Sequence, residues 1–240
     1  KLDNYRVTVL DVGQGQSVLL QWEDKNFLVD CGGDSGQMAA DTVIHRLLSQ
    51  GLTRLDGVIL THYDKDHVNG VENLLSWIDT ETLYLPDTEP ADPNRLSLEK
   101  TFADRICWIN EDTVLSADNG KITLFTGGNT ENRNENCTSV LFQTDYCDIL
   151  ITGDLGVSGE QTLLEKTDLP TLDLLVAGHH GSAGSTGLPL LLTTKPTVAA
   201  ISVGDNNNNR LPSWEALYRL NMFGCRIWRT DKHGTIIFRG

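Results

Sequence analysis

The stretch LTHYDKDHVNG, residues 60–70, places His62, Asp64, Asp66 and His67 within six positions, directly after the apolar run LDGVIL. Such a run reads as a buried strand, and in open α/β folds ligands gather where loops leave the carboxyl ends of strands. Nitrogen and oxygen donors packed this closely can converge on one or two divalent cations with little loop to order. Without a cation the neighbouring carboxylates would repel one another. The plainer reading is a polar loop in which Asp66 caps a helix starting near Val68.

Outward from this stretch, other polar residues occupy the same kind of place. Asp30 ends NFLVD, Asp154 ends ILITGD, and His179 with His180 ends LLVAGHH. Singly, each reads as a cap or turn residue, since Asp30 precedes Gly32 and Gly33 and Asp154 precedes Leu155 and Gly156. Jointly, four polar residues each placed at the end of an apolar strand are harder to read that way. About a dozen strand-like runs alternate with helical patterns, among them MAADTVIHRLLSQG, VNGVENLLSWID, SLEKTFADRI, SGEQTLLEK and SWEALYRLNMFG. Ser213 is the expected N-cap of the last, and Gly51 and Gly224 are expected stops. The interleaving predicts an α/β fold built from two similar halves, the second beginning near Lys121, within a single domain spanning 1–240.

Composition narrows the function. Nineteen basic against thirty-three acidic side chains give a net charge of -14, which opposes long-range attraction to nucleic acid or anionic membrane, so a polyanionic substrate needs local cations. No apolar stretch approaches the ~18 residues of a membrane span, and the chain is expected to be soluble. It begins at Lys1 without a signal-peptide pattern, as expected of a processed product or a domain of something longer. Five cysteines without CxxC spacing indicate neither a zinc finger nor a disulfide scaffold. A hairpin turning at Asp145 and Tyr146 would set Cys147 opposite Thr144, not Cys137, so no bridge is expected there. The tryptophans show no stacking rhythm and are expected to pack in the core or at its rim. His45 and His233 are read as structural or solvated.

THYDKDHVNG resembles the HxHxDH signature of the metallo-β-lactamase superfamily in an HxDxDH form. VTVLDVGQGQSVLL, LVDCGG, LITGDL and GHHGSAGST followed by AAISVGDNN resemble, in order and spacing, the hydrolase domain of ComEC-type competence DNA-uptake proteins. The resemblance implies an αββα sandwich, two mixed sheets flanked by helices, with metals at one edge. It implies that Asp30 supports the site, that His62 and Asp64 hold one metal and Asp66 and His67 a second, that Asp154 bridges them, and that His179 completes the second. Asp66, His67 and Asp154 are then the catalytic residues. His180 is the alternative to His179, since neighbours on a strand end point in opposite directions; the other contacts substrate or packs. Further substrate contacts are expected from Ser182, Ser185, Thr186 and Arg210, although a solvated loop arginine is an equal reading of the last.

The sequence also departs from that pattern. No histidine lies between His67 and His179, where the superfamily usually supplies another ligand; Asn136, Thr138 or Ser139 of NENCTSV stands there as a weaker oxygen donor or substrate contact. Leu211-Pro212 replaces a His-Pro pair, and Gln16 stands where an aspartate is frequent. An oxygen-rich, open donor set suits Mn²⁺ first, with Zn²⁺ or Mg²⁺ as alternatives. The expected function is a metal-dependent nuclease that hydrolyses DNA during natural transformation and degrades the strand that is not imported. It would sit on the extracellular face of the cell membrane, joined to the channel region of the same parent protein. The alternatives are a small-molecule metallohydrolase and a non-catalytic DNA-binding or scaffolding module.

Overall fold

The computed structural model describes residues 4–128, 130–205, 207 and 210–240. The first half comprises β1 (Tyr5–Val9), β2 (Val18–Trp22), β3 (Lys25–Val29), α1 (Gly36–Ser49), β4 (Arg54–Ile59), α2 (Lys65–Val68), α3 (Val71–Leu75), β5 (Asp79–Pro86), α4 (Pro93–Phe102) and β6 (Ile106–Ile109). The second comprises β7 (Thr113–Ala117), β8 (Gly120–Phe125), β9 (Ser139–Thr144), β10 (Cys147–Ile151), α5 (Val157–Lys166), β11 (Leu174–Val176), α6 (Leu188–Thr194), β12 (Val198–Ile201), α7 (Trp214–Met222), β13 (Arg226–Arg229), α8 (Thr230–His233) and β14 (Ile236–Arg239).

These strands form two seven-stranded mixed sheets, ordered β14-β1-β2-β3-β4-β5-β6 and β13-β12-β11-β10-β9-β8-β7. The last strand, β14, returns to the first sheet and lies antiparallel to β1, with Arg239 opposite Arg6. Strand alternation assigns each side chain to a layer. In β3, Phe27 and Val29 face the second sheet and meet Val140, Phe142, Ile149 and Ile151, while Leu28 faces outward onto Val43 and Leu47 of α1. Leu150 and Leu175 likewise face Leu163 of α5, Leu191 of α6 and Leu220 of α7. Central strands buried on both faces are continuously apolar for this reason. The architecture is the expected αββα sandwich.

Several elements differ from the sequence expectation. The helix expected over SLEKTFADRI begins earlier, at Pro93 with Asp92 as its side-chain cap, and stops at Phe102. Ile106–Ile109 is instead a strand pairing in parallel with β5, Cys107 opposite Tyr84. The second sheet begins at Thr113, before Lys121, because β7 is an edge strand whose alternately exposed side chains give little apolar signal. Leu188–Thr194, an apolar run without polar periodicity, is a helix ended by Lys195 in the left-handed region at φ 43°. Ser213 caps α7 as expected, its Oγ accepting from the Ala216 N–H at 3.1 Å. Cys147 pairs with Thr144 in register, and all five cysteines are free. Among the described residues no helix is long and apolar enough to cross a membrane.

Candidate metal centre

Four strands of the two sheets, β3, β4, β10 and β11, end at one edge and deliver Asp30, His62, Asp154 and the His179–His180 pair to the same point. The short α2 supplies Asp66 and His67. Its backbone is pulled against the first sheet by hydrogen bonds from Gln16 N–H to Asp66 O (3.0 Å) and from Cys31 N–H to His67 O (2.9 Å). Gly32 makes this approach possible, since a Cβ there would lie 2.3 Å from the Asp66 carbonyl carbon. Asp64 stands at the N-cap of α2, yet neither it nor Asp66 makes a side-chain capping bond. Helix capping therefore does not account for this cluster of acids.

Asp154 lies between two groups of donors. Its Oδ1 is 3.1 Å from His67 Nε2 and 3.9 Å from His180 Nε2; its Oδ2 is 3.5 Å from His179 Nε2 and 3.8 Å from His62 Nε2. Asp64 Oδ2 adds to the His62 side at 3.7 Å, and Asp66 Oδ2 lies 3.2 Å from His180 Nε2 on the other. His62, His67 and Asp154 form one group able to hold a metal ion, and Asp66, His67 and His180 a second.

The hydrogen bonds behind the site determine which ring nitrogen is free. Asp30, fully buried at φ 58°, accepts from the Thr61 N–H and Oγ1–H at 2.8 Å each and from Gln16 Nε2 at 2.8 Å, and lies 2.7 Å from His67 Nδ1. A carboxylate there keeps the proton on Nδ1 of His67. Because Thr61 gives its hydroxyl proton to Asp30, its oxygen accepts from His62 Nδ1 at 3.0 Å. His180 Nδ1 donates to the Ser202 carbonyl at 2.9 Å. In all three rings Nδ1 has a partner behind the site and Nε2 faces the cluster. Those three Nε2 atoms and Asp154 Oδ1 are buried without any hydrogen-bond partner, although His67 Nε2 and Asp154 Oδ1 are only 3.1 Å apart. Orphaned lone pairs aimed at a common centre fit a cation there, since unsatisfied buried donors and acceptors are otherwise costly.

Charges follow the same arrangement. Burial and the neighbouring His67 push His62 down to about 4. Burial also opposes the charged form of His67, but with no cation present Asp154 and Asp30 overrule it and hold its pKa well above the ordinary value, so a cation binding at Nε2 must displace the proton that Asp154 holds there. Burial works against ionised Asp66, yet its contacts with His180 and His67 bring it to about 2. The same balance, with His67 first among the cations, drives Asp154 further down. Both acids are anions at neutral pH, as metal ligands must be.

The remaining expected residues divide. His180, not His179, joins Asp66 and His67, and His179 lies on the Asp154 Oδ2 side, one-third exposed. The strand-alternation argument does not apply, because both histidines have left-handed backbone, φ 49° and 54°, in a tight turn that aims both rings inward. The Asn136 amide is spent on its own loop, bonding the Thr130 N–H and carbonyl at 2.8 and 2.9 Å. Ser139, Thr138, Ser185 and Thr186 are buried; Ser182 is partly exposed, and Arg210 stands exposed on its loop. Gln16, in the place of an aspartate, serves as a donor to Asp30.

Several residues bearing on the site escaped sequence reasoning. Arg133 contacts Asp64 Oδ1 at 3.1 Å, Glu89 at 2.5 Å and Asp92 at 2.8 Å, and Asn134 approaches His179 Nδ1 at 3.4 Å. Both lie in a polar loop without periodicity, and their contacts are distant in sequence. Glu160 of α5, only 1% exposed, accepts the Thr186 and Gly187 N–H groups, while Arg219 of α7 bonds the carbonyls of Ala183, Ser185 and Thr186. Together they fix the loop that follows the two histidines. An acid on the apolar face of SGEQTLLEK was the signal available for Glu160.

A two-sheet sandwich with paired imidazole and carboxylate groups at one edge defines a metal-binding α/β protein. The chain belongs to the metallo-beta-lactamase superfamily, whose family model matches residues 10–205. It is similar to ComE operon protein 3 of Bacillus subtilis, 29% identical over 97% of this chain and 33% of that one, and to Recombination protein 2 of Haemophilus influenzae, 29% identical over 97% and 28%. It is also similar to Competence protein ComA of Neisseria gonorrhoeae, 29% identical over 97% and 32%. The chain thus spans about a third of the length of these relatives. Among solved structures, the metallo-beta-lactamase fold protein YhfI of Bacillus subtilis superposes with a TM-score of 0.67 at 17% identity, covering 99% of this chain and all of that one. Zn²⁺-bound PqqB of Methylobacterium extorquens gives 0.63 at 12%, covering 98% and 100%. Superfamily and donor set together imply a divalent metal.

Proposed function

We propose that the chain is a metal-dependent phosphodiesterase that cleaves DNA and serves as the hydrolase part of a competence DNA-uptake protein. In that role it faces outward beside the channel region of its parent and degrades the strand that is not imported. The observation that carries the reading is the convergence of the unpartnered Nε2 atoms of His62, His67 and His180 on Asp154. A scaffold would not leave four such atoms buried and unsatisfied. The names of the relatives, Competence protein ComA among them, supply the biological setting.

His62, Asp64, Asp154 and His179 would border one cation, and Asp66, His67, His180 and Asp154 the other. Bound there, cations would supply Lewis acidity to water and neutralise charge on a phosphodiester's oxygens. Asp30 holds the His67 proton on Nδ1, and through Thr61 that of His62, so both rings present lone pairs. The donors are three carboxylates and four imidazoles with no sulfur, a mixed set that Mn²⁺ and Zn²⁺ both suit and that Mg²⁺, which prefers oxygen, suits less; Mn²⁺ is the proposed ion. Local cations also offset the -14 net charge that would otherwise repel a phosphate backbone.

The test is incubation of the protein with linear DNA in Mn²⁺, Mg²⁺, Zn²⁺ or EDTA, alongside Asp66→Ala. Cleavage that requires a cation and disappears in the variant is expected. DNA left intact under every condition would overturn the reading.

A further inference from the structure

The outer face of α7 carries Trp214, Tyr218 and Met222, 71%, 57% and 61% exposed, at successive i, i+4 positions. The opposite face, Ala216 and Leu220, is fully buried in the second sheet's outer core. Single exposed apolar side chains are ordinary, but two large aromatic rings aligned on one helix form a surface that ordinarily has an occupant. The expectation that the tryptophans pack in the core or at its rim holds for Trp22 but not for this one, nor for Trp77, which is 74% exposed.

The position of the stripe narrows the choice of occupant. Ser213, the cap of α7, donates its backbone N–H to the carbonyl of Gly181 at 2.9 Å, directly after His180. Arg219 ties the middle of the same helix to the carbonyls of Ala183, Ser185 and Thr186. Trp214 thus directly follows a cap bonded to the loop that carries the two histidines, and Tyr218 lies one turn further along the same helix. A strand lying on these rings would reach the cluster along that loop.

We infer that Trp214 and Tyr218 are a stacking platform for the bases of single-stranded nucleic acid whose phosphate backbone enters the metal cluster, an inference that rests on the phosphodiesterase reading and names its substrate class. The two ring centroids are 6.2 Å apart and tilted by 59°. That is too wide and too inclined to grip one base as a sandwich, and nearly double the spacing of about 3.4 Å between stacked bases of a duplex strand. Each ring instead offers a face to one of two neighbouring bases drawn out of their stack. A duplex hides those faces, whereas an unpaired strand presents them. Stacking also suits a protein of net charge -14, because it draws affinity from surfaces other than lysine and arginine.

The experiment measures fluorescence anisotropy of a labelled thymidine 20-mer and of a blunt duplex of equal length, with and without Mn²⁺, for the wild type, Trp214→Ala, Tyr218→Ala and Trp214→Phe. Circular dichroism melting confirms that each variant folds. The expected result is tighter binding of the single strand than of the duplex, a loss of about tenfold in each alanine variant and recovery in Trp214→Phe, with an unchanged salt dependence. Undetectable single-strand binding by the wild type, alanine variants that bind as the wild type does, or equal losses on duplex and single strand would overturn the inference. A stripe that serves as a protein-protein contact would leave DNA binding untouched and change the sedimentation of the variants, which also overturns it. Wild-type hydrolysis of bis(p-nitrophenyl) phosphate, a phosphodiester without bases, is measured separately. Its absence with every metal would remove the phosphodiesterase reading while the anisotropy still reports on the platform.

Discussion

Asp30 Oδ2 lies 2.7 Å from His67 Nδ1, and the same oxygen receives the hydroxyl proton of Thr61, whose oxygen in turn accepts from His62. One buried carboxylate thus sets the tautomer of two imidazoles that reach the cluster from different elements. Neither ring is free to rotate its proton onto Nε2 without losing its partner.

Asp30→Asn keeps the shape and removes that control. Either orientation of the amide sets its NH2 against a donor, against Gln16 Nε2 and His67 Nδ1 at the Oδ2 position or against the Thr61 N–H at Oδ1, so the support of both rings is lost. Loss of such a supporting carboxylate typically costs about 10–100-fold in metal affinity. Titration calorimetry with Mn²⁺ measures it, and wild-type affinity in the variant would refute the assignment.

Gly32→Ala tests the close approach of α2 to the first sheet. The added methyl would fall 2.3 Å from the carbonyl carbon of Asp66 and 2.4 Å from His67 N, both backbone atoms that cannot swing aside. Overpacking of this kind costs about 1–3 kcal/mol and here also displaces two donors. Lower thermal stability together with weaker metal binding is the expected pair of effects. Gly184→Ala, whose methyl meets only Ser182 Oγ at 3.9 Å, is the matched control and should change neither.

Glu160 gives the fold a pH dependence. Burial raises its pKa from 4.5 to about 7, against the Gly187 and Thr186 N–H groups and the charge of Arg219. The folded protein keeps this proton to about pH 7 while the unfolded chain releases it near 4.5, so between those values folding takes up a proton. The stabilisation is complete below the lower value and is lost as pH rises through the upper, an effect of about 3 kcal/mol. Urea unfolding at intervals from pH 4.5 to 8 should show this decline in the wild type and a flatter profile in Glu160→Gln. Equal slopes would show that the carboxyl is not the titrating group.

The legibility of the sequence followed the range of the interactions. His62, Asp66, His67, Asp154, His179 and His180 stand out because each directly follows an apolar strand or lies in the short turn after one, which is a local pattern. Their partition between the two sides of Asp154 was not legible. His180 rather than His179 lies beside Asp66 and His67, and His179 lies on the Asp154 Oδ2 side, because a left-handed turn, not a strand, carries them. Asn136 looked available as a donor, but its amide closes a loop onto Thr130. Arg133 and Arg219 act through partners dozens of residues away, where periodicity carries no information. The αββα layering was legible because strands buried on both faces are continuously apolar. The edge strand β7, exposed on alternate residues, was not.

Metal removal provides the last test, one that needs no substrate. Without a cation, the Nε2 atoms of His62, His67 and His180 and Oδ1 of Asp154 are buried and unpartnered, so an ion that binds only the folded state should stabilise it. At a free metal concentration a hundred times Kd the gain is about 2.7 kcal/mol, a shift of several degrees in Tm for a chain of this size. The wild type should therefore melt higher in Mn²⁺ than in EDTA. Asp154→Ala removes the carboxylate that faces both sides of the cluster and should abolish most of that difference, while Glu215→Ala on the surface of α7 should leave it intact. If Asp154→Ala retained the full Mn²⁺ shift, the cation would bind elsewhere, and the convergence of these donors would need another explanation.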